Sequence, residues 1–213
     1  MEVQHQILEL FPTPIFTTMV PESYSKIIPW FFKQNIVENG VDSPNYGERS
    51  QNSYILDEPE CLDIKKHILT ITKQYGDMLG YDYNEYRFGQ SWISYKYPNQ
   101  HHTMHSHPNS LISGVFYFGE GDEKTPAIKF HKMVSGVNSS YISPKEVKDK
   151  REIKYSHKEF SIEFKAGLLV LFPSHLHHSV PINQSLKVRS SLAFNVVPTI
   201  GFGSEGNLTE LKF

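Results

Sequence analysis

The chain has 213 residues and a formal net charge of -2, with 38% hydrophobic and 13% aromatic residues, a globular composition that leans toward strand formers. That charge balance carries no electrostatic footprint for nucleic acid or a membrane surface, so neither partner is expected. Cys61 is the single cysteine, which excludes an internal disulfide and suits a reducing compartment. The N-terminal stretch has no basic segment followed by a long apolar run, and the longest apolar run, LLVLF, is too short to span a bilayer; the expectation is a soluble cytoplasmic protein.

Residues 7–20 read as a β segment interrupted by Pro12 and Pro14, which confine it to an edge or entry position. Residues 22–38 are predicted helical, with Ile27, Ile28, Phe31 and Phe32 in the middle; Pro29 either kinks this helix or sits in the first turn of a second piece. Residues 40–53 form a polar loop. The best helix runs over 58–79, with Asp57 as cap and Glu60 completing a box-like start. Its apolar positions Ile64, Ile68, Ile71, Tyr75 and Met78 follow steps of four and three, and Gly80 ends it. Such an amphipathic helix needs a partner, and a sheet is the natural one.

From Phe88 onward the pattern has period two. Ile93, Tyr95 and Tyr97 share one face of a strand, Trp92 lies on the other, and Pro98 closes it. Further strands are predicted over 111–118, 128–130, 159–164, 168–172 and 188–197, with Gly167 at a turn. Residues 131–156 are polar and charge-rich, a loop or insertion. The Gly-rich tail is peripheral. The expected class is mainly β with flanking helices: a cupin-like barrel of about eight short strands, a double-stranded β-helix or jelly roll, preceded by N-terminal helices packed on its sheet. One domain is expected over 1–213, with an N-terminal strand and helices (1–86), a barrel core (87–197) and a tail (198–213).

The chemistry concentrates in two stretches. HHTMHSHPNSLISGVFYF (101–118) puts four histidines in seven residues just before a strand, and GLLVLFPSHLHHSVPINQSLKVRSSLAFNVV (167–197) repeats the plan of strand, His cluster and strand. His105 and His107, two apart, point to one side of an extended chain and can reach one ion. A third ligand from His175, His177 or His178 would make a facial set with open positions, the geometry of non-haem iron oxygenases, which usually take two His and one carboxylate. On the last strand Val188, Ser190, Leu192 and Phe194 share one face, and Arg189, Ser191, Ala193 and Asn195 the other. That second face is small and polar around one cation and suits a barrel lumen holding an anion, which a guanidinium can grip with two parallel hydrogen bonds. Trp92 and Phe130 belong to core or pocket wall, Gly114 to a close strand approach, and His101 and His102 either line the mouth of the site or, the preferred reading, sit in an exposed loop.

HSHPNSLISGVFYF, FPSHLHHSV and RSSLAFN, in this order, together with ELFPTPIF, residues 50–56 and the helix ending at Gly80, resemble the 2-oxoglutarate/Fe(II)-dependent oxygenase superfamily. The likeness spans most of the chain and is nearest to a bacterial and phage branch distantly similar to prolyl hydroxylases. It implies an Fe(II) hydroxylase with 2-oxoglutarate as cosubstrate, acting on a peptide or protein residue or on a small molecule. The family pattern is His-x-Asp/Glu, a distal His and an Arg about ten residues on. Here His105 takes the first position, His178 the distal one and Arg189 the last, while His107 stands where the acid is usual. Either His107 or a carboxylate from elsewhere in the chain closes the ligand set. The resemblance assigns Arg189, Ser191 and Tyr117 to 2-oxoglutarate, with Tyr97 and Tyr95 as weaker candidates, and no catalytic residue beyond the metal ligands.

Two rivals stay open. Gly167, Pro173 and His178 fall near the spacing of a second cupin motif, which suits a three-His dioxygenase working without 2-oxoglutarate, although the Glu expected near Leu111 and Ile112 is missing. The other rival is a non-catalytic metal-binding module. The main substrate and the oligomeric state are not readable from the residues.

Overall fold

The computed structural model describes residues 12–38, 44–132 and 159–213. Most of the polar stretch read over 131–156, and the start of the β segment over 7–20, lie outside them.

Among the described residues the elements are β1 (Phe16–Met19), α1 (Ile28–Phe31), β2 (Ile36–Glu38), β3 (Glu48–Ser50), α2 (Leu62–Met78), β4 (Tyr86–Lys96), β5 (His102–His105), β6 (Ile112–Phe118), β7 (Pro126–His131), β8 (Glu159–Glu163), β9 (Leu168–Pro173), β10 (His178–Val180) and β11 (Arg189–Pro198). They form a seven-stranded sheet in the order β1-β9-β6-β11-β4-β3-β2 and a four-stranded sheet in the order β5-β10-β7-β8. The named strand pairs are antiparallel. β1 sits at the edge, where its upstream prolines are tolerated.

The large sheet is covered on both faces. On one, Ile93, Tyr95, Phe116, Phe118, Leu169, Leu171, Leu192 and Phe194 join Ile64, Ile68, Ile71 and Tyr75 of α2 in a single core. On the other, Val115, Tyr117, Val170 and Phe172 meet Ile128 and Phe130 of the small sheet. Burial on both sides explains why β6 and β9 are buried at every position, Ser113 and Gly114 of β6 included. β4 and β11 keep a period of two because one face of each, Trp92, Ser94 and Lys96 on β4 and Arg189, Ser191 and Ala193 on β11, turns toward the space between the sheets.

Several sequence expectations shift. The stretch 22–38 is a 3₁₀ turn (Glu22–Ile27), then α1 with Pro29 in its first turn, then strand β2. The 40–53 loop contains the short strand β3. α2 begins later than expected, because Pro59 opens a separate 3₁₀ turn (Pro59–Cys61) before it. No side chain caps α2; Asp57 instead holds Lys65 at 2.6 Å. Met78 is 73% exposed, since the buried stripe passes through Thr72, Tyr75 and Gly76. Gly80 does end the helix, with φ +75 and its N–H on the Asp77 carbonyl. The expected barrel of about eight short strands agrees with the eight described strands β4–β11; β5 and β10, which carry histidines, are the two without a periodic signature of their own, being too short to leave one.

Gly114 lies where β6 crosses under Phe194. An added Cβ would overlap the Phe194 ring and come within 2.7 Å of Leu171 Cδ2. Gly114→Ala is therefore expected to destabilise the fold by about 1–3 kcal/mol, read as a lower midpoint in urea unfolding at unchanged slope.

Candidate metal centre

A cavity of about 70 Å³ lies between the sheets, with Trp92, Ser94, Lys96, Arg189 and Ser191 on the large-sheet side and His102, His105 and His178 on the other. Among the described residues no Asp or Glu lines it. His105, His107 and His178 come together there, with one nitrogen of each within 4.8 Å of the others, and they are the one such group of potential ligands among the described residues.

The strands do the positioning. His105 and His178 are direct cross-strand partners in the β5–β10 pair. His105 Nδ1–H donates to the Thr103 carbonyl and His178 Nδ1–H to the Leu176 carbonyl, each at 2.8 Å. These bonds fix the tautomer and leave Nε2 of both rings as a free donor toward an ion. His107 follows β5 in a loop whose backbone is tied down, its N–H donating to the Ser174 carbonyl at 2.9 Å. Burial, first, holds the imidazoles neutral: it pushes His178 down to about 3, with His105 adding to the effect, and His107 down to about 4. His105 is lowered by burial as well. Three neutral imidazoles, two of them ordered in tautomer, fit a first-row divalent ion, which needs deprotonated nitrogen ligands.

A serine network that spacing alone did not reveal braces this corner. Ser174 Oγ is 2.8 Å from the hydroxyls of both Ser110 and Ser113, and Ser113 donates to Asn195 Oδ1 at 2.8 Å. It links the His107 loop, β6, the turn before His178 and β11.

The 2-oxoglutarate candidates divide. Arg189 and Ser191 line the cavity, with Arg189 Nη1 donating to Ser191 Oγ at 3.0 Å and Nε to the Pro126 carbonyl at 2.9 Å. Tyr117 is fully buried beneath the guanidinium, whose carbon is 5.0 Å from the ring centroid, and its oxygen accepts the Ile128 N–H at 2.9 Å. It faces Arg189 and is not in the cavity wall. Tyr97 lies past the end of β4, 36% exposed, and donates to Glu48 at 2.6 Å, away from the cavity. Tyr95 is in the helix-side core, with its hydroxyl on the Phe31 carbonyl.

Of the remaining residues singled out, Trp92 is pocket wall and Phe130 is core. His175 is exposed, and the His177 carbonyl serves the His131 N–H. His102 takes the less favoured of its two alternatives: it lines the cavity, stacked on Tyr46 at 5.0 Å and 4.5 Å from the His105 ring. Its partner Tyr46 comes from a 3₁₀ turn that the sequence did not suggest.

Lys96 was also unforeseen. It is 1% exposed, lines the cavity and donates from Nζ to Ser94 Oγ at 2.9 Å. Burial, reinforced by Arg189, pushes it down to about 7.

Residues 90–195 match the family model described as "Putative 2OG-Fe(II) oxygenase". Solved structures similar to this chain include an oxidoreductase of the 2OG-Fe(II) oxygenase family from Burkholderia pseudomallei (13% identity, 85% of this chain and 84% of that one, TM-score 0.53). Another is HygX from Streptomyces hygroscopicus with nickel, 2-oxoglutarate and hygromycin B bound (9%, 89% and 84%, TM-score 0.59). A third is a prolyl-4-hydroxylase from Pseudomonas putida (13%, 86% and 92%, TM-score 0.55). At these identities the structural likeness is one of fold. No curated protein matches the chain.

Two outcomes are expected. Ser174→Ala strips partners from Ser110 and Ser113 and should lower stability by about 1–3 kcal/mol, with weaker divalent-metal binding in the same titration. Lys96 binds a proton in the unfolded chain, near 10.5, that the fold releases down to about 7. The ligand-free protein therefore loses stability as pH falls across that window, then levels off. Lys96→Met should remove this slope, so its gain in melting temperature over wild type is larger at pH 6.5 than at pH 10.

Proposed function

Because the chain belongs to the 2-oxoglutarate/Fe(II)-dependent oxygenase superfamily, we propose that it is a non-haem iron hydroxylase in which His105, His107 and His178 hold Fe(II) while Arg189 and Ser191 receive the distal carboxylate of 2-oxoglutarate. The observation that carries this reading is the convergence of three neutral imidazoles in one cavity with a buried guanidinium and no lining carboxylate among the described residues. When bound, Fe(II) and 2-oxoglutarate supply with dioxygen an oxidant that replaces a C–H hydrogen by hydroxyl, leaving succinate and carbon dioxide.

The chain's own part is placement. The Thr103 and Leu176 carbonyls aim two imidazoles. The Pro126 carbonyl and the Tyr117 ring hold the guanidinium. The enclosing sheets limit water, and a closed double-stranded β-helix, with the whole chain acting as one domain, fits that task. A set of three neutral ligands leaves the ion's divalent charge for the cosubstrate dianion to balance, so the two should bind more tightly together than apart. The target is a C–H group of a peptide or protein residue, or of a small molecule. The prolyl-4-hydroxylase likeness favours the former, and the structure with hygromycin B bound keeps the latter in view. The single buried cysteine is consistent with a cytosolic setting.

His107 in the usual place of an acid also favours a second reading, a three-His dioxygenase that needs no 2-oxoglutarate. Anaerobic loading with Fe(II) and titration with 2-oxoglutarate separates the two. A visible metal-to-ligand charge-transfer band that saturates at about one equivalent is expected. His178→Ala should abolish it, and Arg189→Ala should raise the 2-oxoglutarate Kd by roughly ten- to hundredfold. Stoichiometric iron without a band would select the second reading, and no stoichiometric iron would leave a non-catalytic module.

A further inference from the structure

Two buried cations face each other across the central strands. Lys96 on β4 and Arg189 on β11 are register partners, 1% and 3% exposed. Two residues inward the same register pairs Ser94 with Ser191. Lys96 donates to Ser94 at 2.9 Å and Arg189 to Ser191 at 3.0 Å. The Arg-x-Ser of β11 therefore meets a Ser-x-Lys on β4, and both pairs line the cavity.

This arrangement is costly without a ligand. Like charges directly opposite on neighbouring strands repel, and a buried cation is stable only when paired. Among the described residues neither cation has an ion pair with an acidic side chain, and the cavity wall offers none. The serines orient the two groups without neutralising them. Each cation also has more N–H groups than it uses on its serine, since an ammonium carries three and a guanidinium five. An anion between them would gain donors from both strands and remove the repulsion.

We propose that Lys96 is a second cationic anchor for the cosubstrate's distal carboxylate, which is held between Lys96 and Arg189 rather than by Arg189 alone. The inference rests on the 2-oxoglutarate reading and extends it: Lys96 makes the site selective for a dicarboxylate over a 2-oxo acid with an uncharged tail.

The test compares 2-oxoglutarate with 2-oxopentanoate, which has the same chain length and no distal carboxylate. Both are titrated anaerobically into the Fe(II)-loaded wild type, Lys96→Met and Lys96→Gln, with the charge-transfer band as readout. The expected result is a rise of roughly ten- to hundredfold in the 2-oxoglutarate Kd of both variants. The 2-oxopentanoate Kd and the iron stoichiometry should not change. An unchanged 2-oxoglutarate Kd, or an equal loss for both acids, overturns the proposal. If the wild type gives no band with either acid, the cosubstrate reading fails separately. The anchor is then measured by calorimetry with glutarate against butyrate. Loss of glutarate binding alone in the Lys96 variants upholds it. Glutarate binding that survives them, or is absent from the wild type, overturns it.

Discussion

The molecule depends on the register of β11 between β4 and β6. β11 is flanked on both sides, with Leu192 opposite Ile93 on one neighbour and Phe116 on the other. Arg189, Ser191 and Ala193 look into the cavity, while Leu192, Phe194 and Val196 belong to the helix-side core. A slip of one residue would exchange these faces, burying Arg189 among Leu and Phe side chains and turning Phe194 toward the histidines. The hydrophobic core and the polar cavity are thus one constraint seen from two sides. The large apolar residues of β11 pin the strand, and the pinned strand carries the cation to its place.

Electrostatics then follow from enclosure. The same burial that disfavours charge on His105, His107 and His178 leaves their nitrogens available to a metal. It also makes Lys96 and Arg189 an unfavourable pair until something negative arrives. On the proposed reading the centre suits a cation at one end and an anion at the other, which is the charge distribution of a metal chelated by a dicarboxylic 2-oxo acid. Stability is given up locally to keep that polarity, and two apolar cores on either side of the large sheet offset it.

Much of this was legible in the residues themselves. His-x-His spacing needs only an extended backbone to put two rings on one side, and the alternation of VRSSLAFN names its own faces. What stayed hidden depends on pairing between distant segments. Lys96, at the end of a strand just before Tyr97 and Pro98, carries no local signal of burial, and its place opposite Arg189 appears only in the fold. Ser113 finds Ser174 61 positions away and Asn195 82 positions away, and nothing local to any of them signals the network. His102 looked like a loop residue because Tyr46, which covers it, sits in a stretch with no periodicity. Pro59 shortened α2 through a local 3₁₀ preference that outweighed the capping pattern around Asp57.

β5 is one of the two edge strands of the small sheet and is joined to β10 through two register pairs, His105 with His178 and His102 with Val180, with an irregularity between them. So slender a seam is the natural place for the fold to open first. An ion bound by His105 and His178 would cross-link the very pair that forms it, acting as a rivet on the least fastened edge. Loading the centre and closing the sheet would then be a single event, and the rate at which metal leaves would be a clock for the breathing of that edge.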